Sequence, residues 1–203
     1  MRDWQRVILV GAVALGAAAV LGGCASGRGA RPVPAVGLDP AAAPQKIEDV
    51  AGVNVRLFRD GRVYIGGQPD SLALRALAER GVKTVVNLRT PTEMADRKNV
   101  PYDEPALARE LGLTYVSVPL GGSAFPYTPA ATDSFAAVLA RTTEPVFLHC
   151  TVGGRASYVW AAYLVRHHGW APQAALDRGT KIGIGPDLLA DLTGKKFKVV
   201  PKR

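Results

Sequence analysis

The apolar positions of this chain alternate between two rhythms. Residues 82–88, 113–118 and 145–149 are short runs rich in Val, Leu, Tyr and Phe, the pattern of strands covered on both faces. Between them the spacing lengthens to three and four, which predicts helices over 104–111, 130–140 and from Ala156 to His168. Before them, residues 53–58 and 62–65 flank Asp60-Gly61, a pair suited to a hairpin turn. Gly66-Gly67-Gln68-Pro69 ends the second arm. Asp70 or Ser71 then caps a helix with an apolar face of Leu72, Leu74, Leu77 and Ala78, stopped at Gly81. Thr90-Pro91-Thr92-Glu93 reads as a turn, 120–128 as a Gly/Ser/Pro loop, and 172–178 and 186–192 as two short closing helices. Strands alternating with helices predict an α/β domain with a mostly parallel central sheet and helices on both faces. In such sheets ligands bind beyond the carboxyl ends of the strands, where Arg89, Leu120 and Cys150 all fall.

The two ends read differently. Arg2 and Arg6 precede an apolar run over 7–21 that closes on Leu21-Gly22-Gly23-Cys24. This resembles a bacterial lipoprotein signal, with an ordinary secretory signal or an uncleaved anchor as the other readings. The resemblance implies that 1–23 is removed and that Cys24 carries lipid. Ala25 after it, rather than Asp, implies an outer membrane facing the periplasm. Residues 24–50 are rich in Ala, Pro and Gly and read as a tether. Residues 51–194 are the expected domain and 195–203 a basic tail. The net charge of +8 favours anionic partners without choosing among them. No nucleic-acid-binding motif appears, so no nucleic-acid partner is expected.

The chemistry concentrates in His149-Cys150-Thr151-Val152-Gly153-Gly154-Arg155, between a strand and a helix. The chain has two cysteines, so lipidation of Cys24 would leave Cys150 without an intramolecular partner. A cysteine at a helix N-terminus sits where free N–H groups and the macrodipole favour negative charge. The amides of Thr151, Val152, Gly153, Gly154, Arg155 and Ala156 can turn toward one anion, and the Arg155 guanidinium adds a planar fork suited to phosphate. That is the equipment of cysteine-based phosphoryl transfer. The same loop would serve sulfur transfer, and the plain alternative is a small buried thiol. The three histidines, His149, His167 and His168, form no metal cluster. Neither metal nor organic cofactor is expected.

Tyr64-Ile65-Gly66-Gly67-Gln68-Pro69, then Val85-Val86-Asn87-Leu88-Arg89 with Glu93, then Tyr115-Val116-Ser117-Val118-Pro119, then the cysteine loop follow one another in an order that resembles the beta-lactamase-hydrolase-like phosphatases. These are a bacterial branch of the dual-specificity protein tyrosine phosphatase superfamily. The resemblance covers about residues 53–180. It implies a phosphatase fold, a phosphorylated protein or small-molecule substrate, Cys150 as nucleophile and Arg155 as the ligand of the transferred phosphoryl group. It also implies that His149 buttresses the loop. Four residues separate Cys150 from Arg155, a spacing shared with rhodaneses. A rhodanese-like sulfurtransferase with a Cys150 persulfide, and a catalytically weak phospho-ligand-binding module, are therefore the alternatives. Ala156 follows the arginine, so Ser157 is the hydroxyl available to assist the leaving thiolate. Asp133 is the candidate for the general acid, although its Thr-Asp-Ser setting also suits a first helical turn. Arg89 and Glu93 read either as a salt bridge shaping a turn or as a second basic group held near the phosphate.

Overall fold

The structure, a computed structural model, describes residues 36–183 and 188–197. The signal segment, Cys24, the first part of the tether, the predicted start of the last helix at Pro186 and the end of the basic tail lie outside the described residues. A six-stranded sheet runs in the order β1-β2-β3-β6-β4-β5. Its strands are β1 Gln45–Lys46, β2 Leu57–Asp60, β3 Val63–Gly66, β4 Thr84–Asn87, β5 Thr114–Ser117 and β6 Val146–His149. β1, β2 and β3 pair antiparallel, whereas β3, β6, β4 and β5 are parallel neighbours. β6 therefore occupies the middle, in register with β3 (Gly66 opposite His149) and β4 (Asn87 opposite His149).

Seven helices are described: α1 Ser71–Glu79, α2 Pro91–Ala95, α3 Glu104–Glu110, α4 Pro129–Leu139, α5 Gly154–His167, α6 Pro172–Ile182 and α7 Leu189–Thr193. Alternation along each strand divides the core into two layers. Val63, Ile65, Val86, Val146 and Leu148 pack against α4, α5, α6 and α7. Tyr64, Val85 and Phe147 face α1 and α3. Residues 159–165 of α5 are all buried, because this helix lies on the sheet and is itself covered. Phe135, Trp160 and Tyr163 fill the layer around it with edge-on and stacked rings. No helix among the described residues is long and apolar enough to cross a membrane.

Several expectations change. Leu72 is 73% exposed, and the buried face of α1 is Ala73, Leu74 and Leu77 beneath the Asp70 cap. The Thr90–Glu93 segment is no simple turn. Thr90 caps α2 and Glu93 closes a reciprocal capping box, which satisfies two orphan donors at once. The hairpin loop sits one residue later than expected, because Asp60 ends β2 and turns inward. Its carboxylate binds Arg178 at 2.6 Å and accepts from the Trp160 indole at 2.8 Å. That buried anchor also draws α6 on past Arg178 to Ile182. The expected tether extends too far. Val36 is 2% exposed, its carbonyl accepts from the Arg62 amide, and β1 joins the sheet. From Val36 onward this stretch belongs to the domain.

Candidate active site

Cys150 follows directly on β6, the central strand, and α5 begins four residues later. The connection is tied down on its flank. The Cys150 amide donates to the Gly66 carbonyl, and the Thr151 carbonyl accepts from the Gln68 amide at 3.1 Å and from Asn54 Nδ2 at 3.0 Å. Gly67 lets these segments meet, since a Cβ there would lie 1.9 Å from the Asn54 carbonyl oxygen. Gly153 takes φ +89° to turn the chain into α5, a backbone state that glycine adopts freely. The first amides of α5 have no intrahelical partner and lie beside Cys150 in the chain. Cys150 itself is 1% exposed.

Arg155 sits on the first turn of α5, and its guanidinium is fixed from several sides. Nη1 and Nη2 donate fork to fork to Glu93 at 2.9 and 2.5 Å. Nη1 also reaches the Leu120 carbonyl at 2.5 Å, and Nη2 the Thr151 hydroxyl at 2.8 Å. That hydroxyl in turn donates to Glu93 at 2.8 Å. Burial alone would raise the pKa of Glu93. Hydrogen bonds from Arg155, the Thr90 amide and Thr151, with the Arg155 charge, bring it down to about 2. Burial would likewise lower Arg155, but the hydrogen bond to Glu93, the interaction with Cys150 and the Glu93 charge outweigh it and raise it. Glu93 is thus the hub of the loop.

Behind the hub runs a chain of buried polar contacts. Arg89, 3% exposed, donates to the Glu93 carbonyl at 3.1 Å and to Gln68 Oε1 at 2.7 Å. Gln68 Nε2 donates to Glu104 at 2.6 Å. The other Glu104 oxygen lies 2.8 Å from His149 Nε2, at ion-pair distance but without the alignment of a hydrogen bond. Both residues are fully buried, and His149 stacks on Phe147. Burial would push the Glu104 carboxyl up. The charge and contact of His149, the Gln68 hydrogen bond and the Arg89 charge prevail and hold it down. The strand beneath Cys150 and the arginine above it are therefore joined through one polar thread. Arg89 Nε, Glu104 Oε1 and both His149 ring nitrogens have no hydrogen-bond partner, so the thread is only partly satisfied.

Of the residues read from the sequence, the structure gathers Thr151, Arg155 and Arg89 on Glu93, with Cys150 in electrostatic reach of Arg155 and His149 ending the strand beneath. Arg89 donates through its two Nη groups to Gln68 and the Glu93 carbonyl and so supports the hub, while its buried Nε has no hydrogen-bond partner. Gly153, Gly154 and buried Ala156 shape the start of α5, while Val152 is 40% exposed. Ser157 donates to the Gly153 carbonyl at 2.8 Å and so serves its own helix. Asp133 is not at the site. It binds Arg166 at 2.7 Å and His167 at 2.9 Å in the last turn of α5, three turns from Arg155. No Asp or Glu occurs in residues 119–128, the loop whose Leu120 carbonyl receives Arg155. Sequence reasoning passed over Gln68, Glu104 and Tyr127. The Tyr127 hydroxyl has its pKa raised, chiefly by burial and also by its interactions with Cys150 and Glu93, against the opposing pull of Arg155. A cleft of about 470 Å³ adjoins Thr151 on one side, and another of about 410 Å³ lies beyond α2.

A family model described as a DSP-PTPase phosphatase fused to NAD+ kinase matches residues 46–190. The beta-lactamase hydrolase-like protein of Xylella fastidiosa strain Temecula1 is 35% identical over 102 residues, 49% of this chain and 22% of that one. The chain thus spans about a fifth of the length of the curated relative it matches. Among solved structures, TpbA of P. aeruginosa is similar at a TM-score of 0.57 and 23% identity, covering 77% of this chain and 92% of that one. PTPMT1 gives a TM-score of 0.53 and 24% identity, covering 65% and 87%. These two likenesses are of fold. TpbA has been solved with pTyr and PTPMT1 with PI(5)P.

Proposed function

The chain belongs to the family of dual-specificity-type phosphatases just described, and from that premise we propose that it hydrolyses phosphomonoesters through a phosphocysteine on Cys150. The observation that carries this reading is the anchored fork. Arg155 is held by Glu93, Thr151 and the Leu120 carbonyl on the first turn of the helix that follows Cys150. The Nη hydrogens of the guanidinium are all engaged in this way, so a phosphate would take the Nε–H and replace the Thr151 hydroxyl at Nη2 while Glu93 keeps the charge in place; charge held in position is the main resource of phosphoryl transfer.

In the proposed reaction the Cys150 thiolate attacks phosphorus. The bond to the ester oxygen breaks, and its electron pair leaves with that oxygen. Water then attacks the phosphocysteine, releasing inorganic phosphate and restoring the thiolate. Arg155 and the first amides of α5 hold the equatorial oxygens. Glu93, with Arg89 behind it, keeps the fork in position. Glu104 and His149 brace the end of β6. The family match favours phosphorus over sulfur as the transferred centre, and the fold of pTyr-binding and PI(5)P-binding neighbours agrees with a phospho-ligand.

We also propose that Cys24 is lipidated, placing the domain at the periplasmic face of an outer membrane. Support comes from the Leu-Gly-Gly-Cys ending of the short apolar run.

The decisive experiment compares the wild type with Cys150→Ser on 4-nitrophenyl phosphate, with vanadate binding as a second readout. The variant is expected to lose turnover while still binding the anion, since the amides and Arg155 remain. Turnover that survives Cys150→Ser, or a persulfide accumulating on Cys150 without phosphatase activity, would refute the reading.

A further inference from the structure

The loop that carries the chain from β5 to α4 leans directly on Arg155, yet residues 119–128 hold no carboxyl group. Leu120 is buried; its amide donates to the Leu88 carbonyl at 2.9 Å, and its carbonyl receives Arg155 Nη1 at 2.5 Å. Gly121 follows so closely that a Cβ there would lie 3.4 Å from Arg155 Nη1. The Gly121 amide donates to the Phe125 carbonyl at 2.7 Å, which folds the tip of the loop back on itself. The returning arm then brings in Tyr127, two residues before α4 begins at Pro129.

The Tyr127 ring is half-buried and packs against the core layer that holds α4 and α5. Its hydroxyl lies in electrostatic reach of Arg155, Cys150 and Glu93 together, and Arg155 feels it in return. Among the described residues no hydrogen bond engages that hydroxyl. The other protic groups of the site are committed. The Thr151 hydroxyl donates to Glu93, and that of Ser157 to the Gly153 carbonyl. Glu93 is ionised and grips Arg155 through both oxygens. His149 is fully buried against Glu104, and Asp133 is held by Arg166. Burial pushes the Tyr127 hydroxyl above its ordinary value, so it keeps its proton at neutral pH. A phenol of that kind gives up its proton only where strong negative charge develops, as on a departing oxygen.

We infer that Tyr127 is the proton donor to the leaving oxygen, a catalytic residue supplied by a loop that has no carboxylic acid to offer. This rests on the phosphatase reading above and adds a residue to its chemistry. As Cys150 attacks phosphorus, the bond to the ester oxygen breaks and its electron pair goes to that oxygen. The Tyr127 proton passes to the same oxygen, and the alcohol leaves neutral. The phenolate that remains is stabilised by the Arg155 charge. In the second half, water gives a proton to the phenolate while its oxygen attacks the phosphocysteine. Inorganic phosphate departs, the electron pair of the P–S bond returns to Cys150, and the Tyr127 hydroxyl is restored.

The test uses Tyr127→Phe in the full chain, which keeps the ring and its packing and deletes only the hydroxyl. At pH 7, kcat/KM is measured on 4-nitrophenyl, phenyl and 4-methoxyphenyl phosphates and on glycerol 2-phosphate, with vanadate binding as a readout that involves no leaving group. An acid matters more as the leaving oxygen becomes more basic. The expected loss is therefore about threefold on 4-nitrophenyl phosphate and about a hundredfold on phenyl phosphate and glycerol 2-phosphate, with vanadate binding unchanged. The wild type should also show a solvent deuterium isotope effect on phenyl phosphate that the variant lacks. An equal loss across the series would show that Tyr127 acts through shape or binding and would overturn the proposal. So would an unchanged series, or a wild type without the isotope effect. Wild-type protein that turns over no member of the series would instead remove the phosphatase reading, and this inference with it.

Discussion

Replacing Glu93 with Gln preserves shape but removes the charge on which Arg155 and Thr151 converge. The carboxyl, ordinarily near 4.5, is brought down to about 2 in the folded protein. A carboxylate lowered by folding stabilises the native state above its unfolded pKa and loses that contribution as pH falls toward the folded value. Here the window runs from about 4.5 down to about 2. At about 1.4 kcal/mol per tenfold the gap is worth about 3 kcal/mol at face value. The Glu93 side chain is 30% exposed, so solvent screening reduces this to about 1–2 kcal/mol. Urea unfolding of wild type and Glu93→Gln should differ by that amount at pH 7 and by less than half of it at about pH 3. Turnover of 4-nitrophenyl phosphate at pH 7 should fall about tenfold, because a fork released from its anchor must be reoriented in each cycle. An equal stability gap at both pH values would contradict the charge-based account. Unchanged turnover would show that the Leu120 carbonyl and Thr151 position Arg155 without help.

Asp133→Asn should leave turnover within about twofold and lower stability by about 1 kcal/mol or less, as expected for a half-exposed pair with Arg166; a large loss confined to alkyl phosphates would reveal Asp133 as the acid after all. Gly67→Ala should lower the melting temperature and the activity together, since its Cβ would meet the Asn54 carbonyl at 1.9 Å; overpacking of this kind costs about 1–3 kcal/mol, and a wild-type melting curve would count against the close approach. Cys24→Ser should move the mature protein out of the detergent phase in a partition assay, whereas unaltered partitioning would rule out lipid at that residue.

The cysteine loop was legible because its signals are local. An apolar strand, a glycine that tolerates positive φ and an arginine on the next helical turn all lie within a few residues of Cys150. The strand and helix order was legible for the same reason, through periodicity. The buried thread from His149 to Glu93 was not. Glu104 and Gln68 are polar residues that a pattern reading assigns to the surface, and only long-range folding brings them together. Asp60 misled in the same way, since a turn pair gives no hint that a distant Arg178 will draw its carboxylate inward. The Thr90–Glu93 capping box, by contrast, is a four-residue signal that the sequence does display, overlooked because Pro91 suggested a turn. Asp133 was a candidate by elimination alone, and the two basic side chains at the far end of α5 claimed it. The missing acid in the 119–128 loop was visible from the start.

The contact between Val36 and Arg62 has a practical side. It joins the β2–β3 hairpin, at the edge of the sheet where β6 begins, whereas Cys150 lies where β6 ends. The polypeptide thus enters the domain at one pole, and the cysteine loop opens at the other. A capture tag, a bead or a sensor chip coupled upstream of Val36 would hold the protein from the pole opposite the cysteine loop. Immobilised in that way, the domain keeps the cysteine loop away from the point of attachment and open to peptides or bulky phosphorylated assemblies.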